Sequence, residues 1–133
     1  MTQDSNRKLI KKHDLTIGTF YFFENYMVAE IKEGIALAYE NATEMLNLAK
    51  EYFGNKTPFV YITNRINSYS FNPTVHFKTV ALFPNLIGYA TVTYDEINHE
   101  IAQLEESFMN RPAKNFRTLE DAIQWAEQLI VRD

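Results

Sequence analysis

The stretch Phe59-Val60-Tyr61-Ile62-Thr63-Asn64-Arg65-Ile66-Asn67-Ser68-Tyr69-Ser70-Phe71-Asn72-Pro73 decides how the chain is read. Phe59 to Ile62 are apolar without alternation, the pattern of a central strand buried on both faces. Asn72-Pro73 has the form of an N-cap followed by proline at the first helical position, where the missing N–H removes no hydrogen bond. Between them Asn, Ser, Arg and Tyr crowd together with no acid. A buried strand that feeds a helix through a polar connection belongs to an α/β domain. Such domains place their working residues on connections of this kind.

Upstream, Met1 to Asn6 is expected to be frayed and disordered, and Leu9 and Ile10 to start a short edge strand. Gly18-Thr19-Phe20-Tyr21-Phe22-Phe23 is rich in the aromatics that suit a pleated surface. Glu24-Asn25 supplies a tight turn, since Asn tolerates positive φ. From Tyr26 to Lys32 the chain alternates, with Met27, Ala29 and Ile31 on a core face and Val28, Glu30 and Lys32 on a partly wet one. These strands make an antiparallel hairpin. After Gly34 the period changes to three and four through Ala38, Ala42, Met45, Leu46, Ala49, Tyr52 and Phe53, one buried helix face. Gly54 is its left-handed stop, and Pro58 prevents continuation.

Downstream, the helix from Pro73 to about Phe83 is expected to turn Phe77, Val80, Ala81 and Phe83 inward, with Pro84-Asn85 ending it. Leu86 to Thr93 is a second apolar strand. Asp95 caps a helix whose apolar stripe is Ile97, Ile101, Leu104, Phe108 and Met109, ended by Arg111-Pro112. Asn115-Phe116-Arg117 is short and extended. Thr118-Leu119-Glu120-Asp121 opens a last helix with a dense face of Leu119, Ala122, Ile123, Trp125, Ala126, Leu129 and Ile130. Alternating strands and helices imply right-handed parallel crossovers. The expected fold class is therefore α/β: a mixed, mostly parallel sheet with an N-terminal antiparallel hairpin and about four helices. A length of 133 residues predicts a single domain.

The composition, 46% hydrophobic and 23% charged, is that of a globular chain. A net charge of −4 weighs against a nucleic-acid partner, which needs a basic face. The basic cluster Arg7, Lys8, Lys11 and Lys12 reads as a solvated lead-in or, alternatively, as a contact for an anionic partner. No apolar run is long enough for a membrane span. The polar N-terminus is unlike a signal peptide, so the expected location is cytoplasmic.

The absence of cysteine removes disulfides, thiolate metal sites and a thiol nucleophile. His13, His76 and His99 share no metal-ligand spacing. Neither a Gly-rich phosphate loop nor a Gly-x-Ser-x-Gly elbow occurs. Asp95-Glu96, Glu105-Glu106 and Glu120-Asp121 read as helix starts or solvated helix faces. The sequence thus predicts no enzyme, no catalytic residue, no metal and no cofactor. The candidate binding or partner surface is Asn64, Arg65, Asn67, Ser68, Tyr69, Ser70 and Asn72. Free N–H groups at the following helix would favour an anion there, with the Arg65 guanidinium adding donors. The alternative is that the asparagines stabilise turns and a cap while the serines face water. The surplus of tyrosine and phenylalanine is packing for the most part, with a remainder for a pocket or a homodimer surface.

The opening hairpin, the helix closed by Gly54 and the run Phe116-Arg117-Thr118-Leu119-Glu120-Asp121-Ala122-Ile123-Gln124-Trp125 resemble the STAS-like domains. These are relatives of the bacterial anti-sigma-factor antagonists, grouped with STAS and CRAL-TRIO modules. The similarity of layout extends from about Gly18 to Ile130. In the antagonist branch a phosphorylatable serine lies just after the third main strand, in an Asp-Ser-Ser-Gly-like motif. The resemblance places Ser68 to Pro73 at that position and makes Ser70 and Ser68 the candidate phosphorylation sites, although no Asp or Gly stands beside them. It implies a non-enzymatic interaction or regulatory module with a protein partner. Its lipid-carrier side implies the alternative, a small apolar ligand held between a helix and the sheet.

Overall fold

A computed structural model describes residues 8–107 and 109–132. In chain order the elements are β1 (Lys11–Leu15), β2 (Gly18–Phe22), β3 (Tyr26–Ile31), β4 (Ala36–Leu37), α1 (Tyr39–Phe53), β5 (Phe59–Asn64), β6 (Ser70–Phe71), α2 (Pro73–Leu82), β7 (Leu86–Val92), α3 (Glu96–Glu106), β8 (Ala113–Phe116) and α4 (Leu119–Arg132). The main sheet has the order β1-β2-β3-β5-β7-β8. β1, β2 and β3 are antiparallel, whereas β3-β5, β5-β7 and β7-β8 pair in parallel. This is the mixed, mostly parallel sheet with four helices that the pattern of elements predicts.

β5 is central, and its residues alternate between two cores. Phe59 belongs to a cluster with Met27, Met45, Phe53 and Phe83 on the α1 and α2 side. Val60 and Ile62 belong to a second cluster with Val28, Ala90, Ala122 and Ala126 on the α4 side. Burial on both faces is why this run shows no polar alternation. The same geometry corrects the reading of β3: Tyr26 and Val28 point away from Met27 and Ala29 but are buried too, because α4 covers that face. α1 stops at Gly54, whose φ of 58° is the left-handed value that favours glycine. Asn72 caps α2, its side chain accepting the Thr74 N–H at 3.0 Å.

Other details differ from expectation. Leu9 and Ile10 lie just ahead of β1, where Ile10 N–H still donates to the Phe22 carbonyl at 2.8 Å. The turn at Glu24-Asn25 closes without positive φ, which among the described residues only Gly34 and Gly54 adopt. Asn25 instead serves through its side-chain amide, which donates to the Pro58 carbonyl at 3.0 Å. On α2 the inward row is Val75, Thr79 and Phe83, with His76 beside it, while Phe77 and Ala81 are exposed. Phe83 anchors that row by its edge-on contact with Phe59 at 5.4 Å. α3 ends at Glu106, well before Arg111-Pro112. Its stripe is not core: Ile97 is 73% exposed, Leu104 65% and Ile101 43%, and Ala102 is the buried residue. The expectations for Met1 to Asn6 and for Phe108 lie outside the described residues. Among the described residues no helix is long and apolar enough to cross a membrane.

Candidate functional site

The polar segment leaves β5 at Asn64, at the carboxyl ends of the parallel strands β3, β5 and β7. Its first residues turn inward. Asn64 donates through Nδ2 to Glu30 at 3.0 Å and accepts from the Tyr94 hydroxyl. Arg65 is 4% exposed, and its guanidinium meets Glu105 of α3 at 2.5 Å. It also lies over the Tyr69 ring, 4.7 Å from the centroid. The Tyr69 hydroxyl and Thr63 Oγ1 are 2.7 Å apart. Asn64 and Arg65 are therefore interior struts, which corrects their place on the candidate binding or partner surface. Asn64 is engaged by Glu30 and Tyr94 and Arg65 by Glu105, although the Arg65 Nε has no hydrogen-bond partner among the described residues.

The rest of the segment is laced to the chain just after β3. Asn67 Nδ2 donates to the Ile31 carbonyl at 3.1 Å, and Ser68 N–H to Glu33 at 2.9 Å. Gly34 N–H donates back to the Ser68 carbonyl at 2.8 Å, and Ser70 N–H to the Ile35 carbonyl at 3.0 Å. Asn72 N–H donates to the Leu37 carbonyl at 3.0 Å, completing the parallel pairing of β4 with β6. At α2, the Thr74 N–H is taken by the Asn72 side chain and the Val75 N–H by the Asn72 carbonyl. The amides expected to receive an anion are thus already paired, so the anion expectation loses its basis. The hydroxyls of Ser68 and Ser70 remain on the surface, held on backbone that is itself tied down.

Beneath this rim lies a group of tyrosines. Tyr61 and Tyr89 are 5.1 Å apart, and His76 meets Tyr89 edge-on at 5.9 Å. Burial raises the pKa of Tyr61, Tyr69 and Tyr89, so their hydroxyls stay protonated at neutral pH. They can donate hydrogen bonds but cannot serve as bases. Burial lowers His76, although its contact with Asn110 at 3.1 Å works the other way. The cavity between α1, α2 and the sheet, lined by Met45, Tyr61, His76 and Tyr89 among others, measures ≈ 40 Å³. That is room for water, not for a drug-sized ligand, which occupies roughly 300 Å³ or more. A small apolar ligand would require α1 and α2 to part. Among the described residues no group of three His, Asp or Glu could hold a metal ion.

The His76 shift gives a pH signature. Its folded pKa lies below the unfolded value of about 6.5. The unfolded chain therefore binds more protons in that window, and stability rises with pH through it. Stability from this residue is complete above the unfolded value and is lost as pH falls toward the folded one. Urea midpoints measured from about pH 7 to about pH 5 are expected to fall in the wild type and to fall less steeply in His76→Gln. Parallel slopes would show that His76 does not titrate with folding.

Sequence reasoning missed Glu105, read as a solvated acid, and the long-range lacing of residues 67–72 onto 31–37. The available signal for Glu105 was its spacing of three from Ala102 on one helix face. That polar face competes poorly with the isoleucines when a sequence is judged by hydrophobicity.

An open groove of ≈ 840 Å³ runs along the rim between the first half of α3 and this laced segment. Ser68, Tyr69, Ser70 and Ile35 line one wall, and Ile97 and Ile101 the other. No family model matches the chain, and no curated protein matches it either. Among solved structures it is similar to an uncharacterized protein of the DUF3478 family with a SpoIIAA-like fold from Shewanella loihica PV-4. That similarity has a TM-score of 0.53 at 18% identity, over 87% of this chain and 90% of the other. At such low identity the likeness concerns the fold alone: the chain has a SpoIIAA-like fold.

Proposed function

We propose that the chain is a single non-enzymatic domain that regulates by binding a protein partner, through the rim formed by Asn67, Ser68, Tyr69 and Ser70. The observation that carries this reading is the presentation of Ser68 and Ser70. Both are exposed, yet their backbone is pinned by the Ser68–Glu33 and Ser70–Ile35 hydrogen bonds. A partner or a modifying enzyme meets a pre-formed surface and does not have to order a loop. The surrounding chemistry favours recognition over catalysis. Tyr61 and Tyr89 beneath, and Tyr69 on the rim itself, are held protonated by burial, and Arg65 is committed to Glu105. Modification of either serine adds charge to a groove wall without disturbing any side-chain hydrogen bond described for it.

The test uses Ser68→Asp and Ser70→Asp. Each is expected to change the capture of a specific partner from native extract by crosslinking. Each should leave the unfolding free energy within about 1 kcal/mol of wild type, as surface substitutions do. Unchanged capture by both variants removes the serines from the function. A larger loss of stability means that they are structural.

A further inference from the structure

The groove beside Ser68 and Ser70 has a chemistry that the proposed function does not use. Its α3 wall carries Ile97 and Ile101, and Leu104 continues their row at i+7 beyond the groove, an apolar stripe that nothing among the described residues covers. The charged residues lining the groove, Glu33, Asp95 and Glu96, are all acids. α3 adds Glu100 on the outer side of the stripe and has no Lys or Arg from Glu96 to Glu106. Of the cations nearby, Arg65 is buried against Glu105 and Arg117 meets Glu96 at 3.2 Å, while the exposed Lys32 precedes Glu33 in the chain.

We propose that this groove docks a basic amphipathic helix of a partner protein, its apolar face on Ile97, Ile101 and Leu104 and its Lys or Arg flanks against Asp95, Glu100 and Glu33. It rests on the reading of the chain as an interaction module and specifies the partner's chemistry. Three arguments select this occupant. An i, i+4, i+7 stripe is the contact row of one helix packed on another. Acid on both sides of the stripe attracts a cationic flank and repels an anionic one, including an anionic membrane. The chain's own basic and apolar segment, Lys8 to Lys12, sits on the β1 edge of the sheet, whereas α3 packs on β8 at the opposite edge. A second copy seated that way would make a head-to-tail contact, not a two-fold dimer.

The probe is a synthetic amphipathic helix of leucine and lysine, roughly 14 residues long, and its leucine–glutamate counterpart. Fluorescence anisotropy on the whole chain is expected to show the lysine peptide bound and the glutamate peptide at least about tenfold weaker. Ile97→Ser/Leu104→Ser is expected to weaken the lysine peptide by about tenfold or more while its melting temperature moves by no more than about 3 °C. Glu44→Gln/Glu51→Gln, on the exposed side of α1, is expected to leave binding unchanged. Equal loss in the α1 and α3 variants would mean diffuse charge attraction and would overturn the proposal. So would indifference to the α3 variant, or self-association that Ile97→Ser abolishes. Ser68→Asp and Ser70→Asp add acid to the groove and are expected to tighten the lysine peptide. If they do nothing while the α3 variant acts, the groove stands and the serine reading falls. If only the serine variants act, the groove falls and the serine reading stands.

Discussion

Replacing Glu105 with alanine is expected to lower the unfolding free energy by about 3–5 kcal/mol, the cost of leaving a buried charge without its counter-ion. Arg65 is 4% exposed, and its Nε already has no hydrogen-bond partner among the described residues. Burial pulls the Arg65 pKa down, but the Glu105 carboxylate opposes it, and the guanidinium stays charged in the interior. Its contact with the Tyr69 ring contributes roughly 2 kcal/mol and brings no counter-charge, so it does not replace the carboxylate. Glu105 also anchors α3, since Ala102 is the buried residue of that helix. Glu105→Gln separates charge from hydrogen bonding. Burial raises the Glu105 pKa and Arg65 only partly restores it, so ionisation of this carboxyl costs the folded state. A neutral amide oxygen that still accepts from Arg65 should therefore lose less than alanine does. Arg65→Met/Glu105→Leu, which removes both charges, should come within about 1–2 kcal/mol of wild type, since apolar replacement of a whole buried pair is often neutral. Urea unfolding of the variants decides the matter: alanine and glutamine indistinguishable from wild type would show that the pair does not hold α3.

That pair also marks where the sequence stopped being informative. β5 was legible because Phe59 to Ile62 are apolar on both faces, and only burial on both sides accommodates that. The N-terminus of α2 was legible because Asn72 and Pro73 act on their immediate neighbours. The inward face of α3 was not legible. Apolarity favoured Ile97, Ile101 and Leu104, but the surface awaiting α3 offers the charge of Arg65, forty positions away in sequence. The helix turns Ala102 and Glu105 to meet it and leaves the isoleucines outside. The segment after Ile62 was legible as a polar connection at the carboxyl rim, but not in its pairing. Ser70 and Asn72 receive their backbone partners from Ile35 and Leu37, and strands as short as β4 and β6 carry no pattern of their own. For the same reason Asn64 and Arg65 were grouped with Ser68 and Ser70, although the first two face inward and the serines face out.

Gly18→Ala is expected to cost about 3 kcal/mol, the upper end of what a single added methyl does in a packed interior. Gly18 lies in β2 between Leu15 of β1 and Ile31 of β3. A Cβ there would press on the Glu30 carbonyl oxygen and come within 2.9 Å of the Ile31 Cα. Both are backbone atoms of a paired strand, so relief requires moving β3 itself. Gly88→Ala makes the informative comparison, because its Cβ would meet the Leu129 Cδ1 at 2.6 Å, the end of a side chain that can change rotamer. The smaller loss is therefore expected at Gly88, and urea midpoints in the reverse order would refute the argument. The consequence of the Gly18 change reaches the rim. Glu30 holds Asn64 through its side chain, and the Ile31 carbonyl holds Asn67. A displaced β3 thus loosens the lacing that presents Ser68 and Ser70. Faster amide exchange at Ser68 and Ser70 in Gly18→Ala, with exchange across α4 and β8 slowed as in wild type, is the expected sign that β2 supports the binding surface through β3.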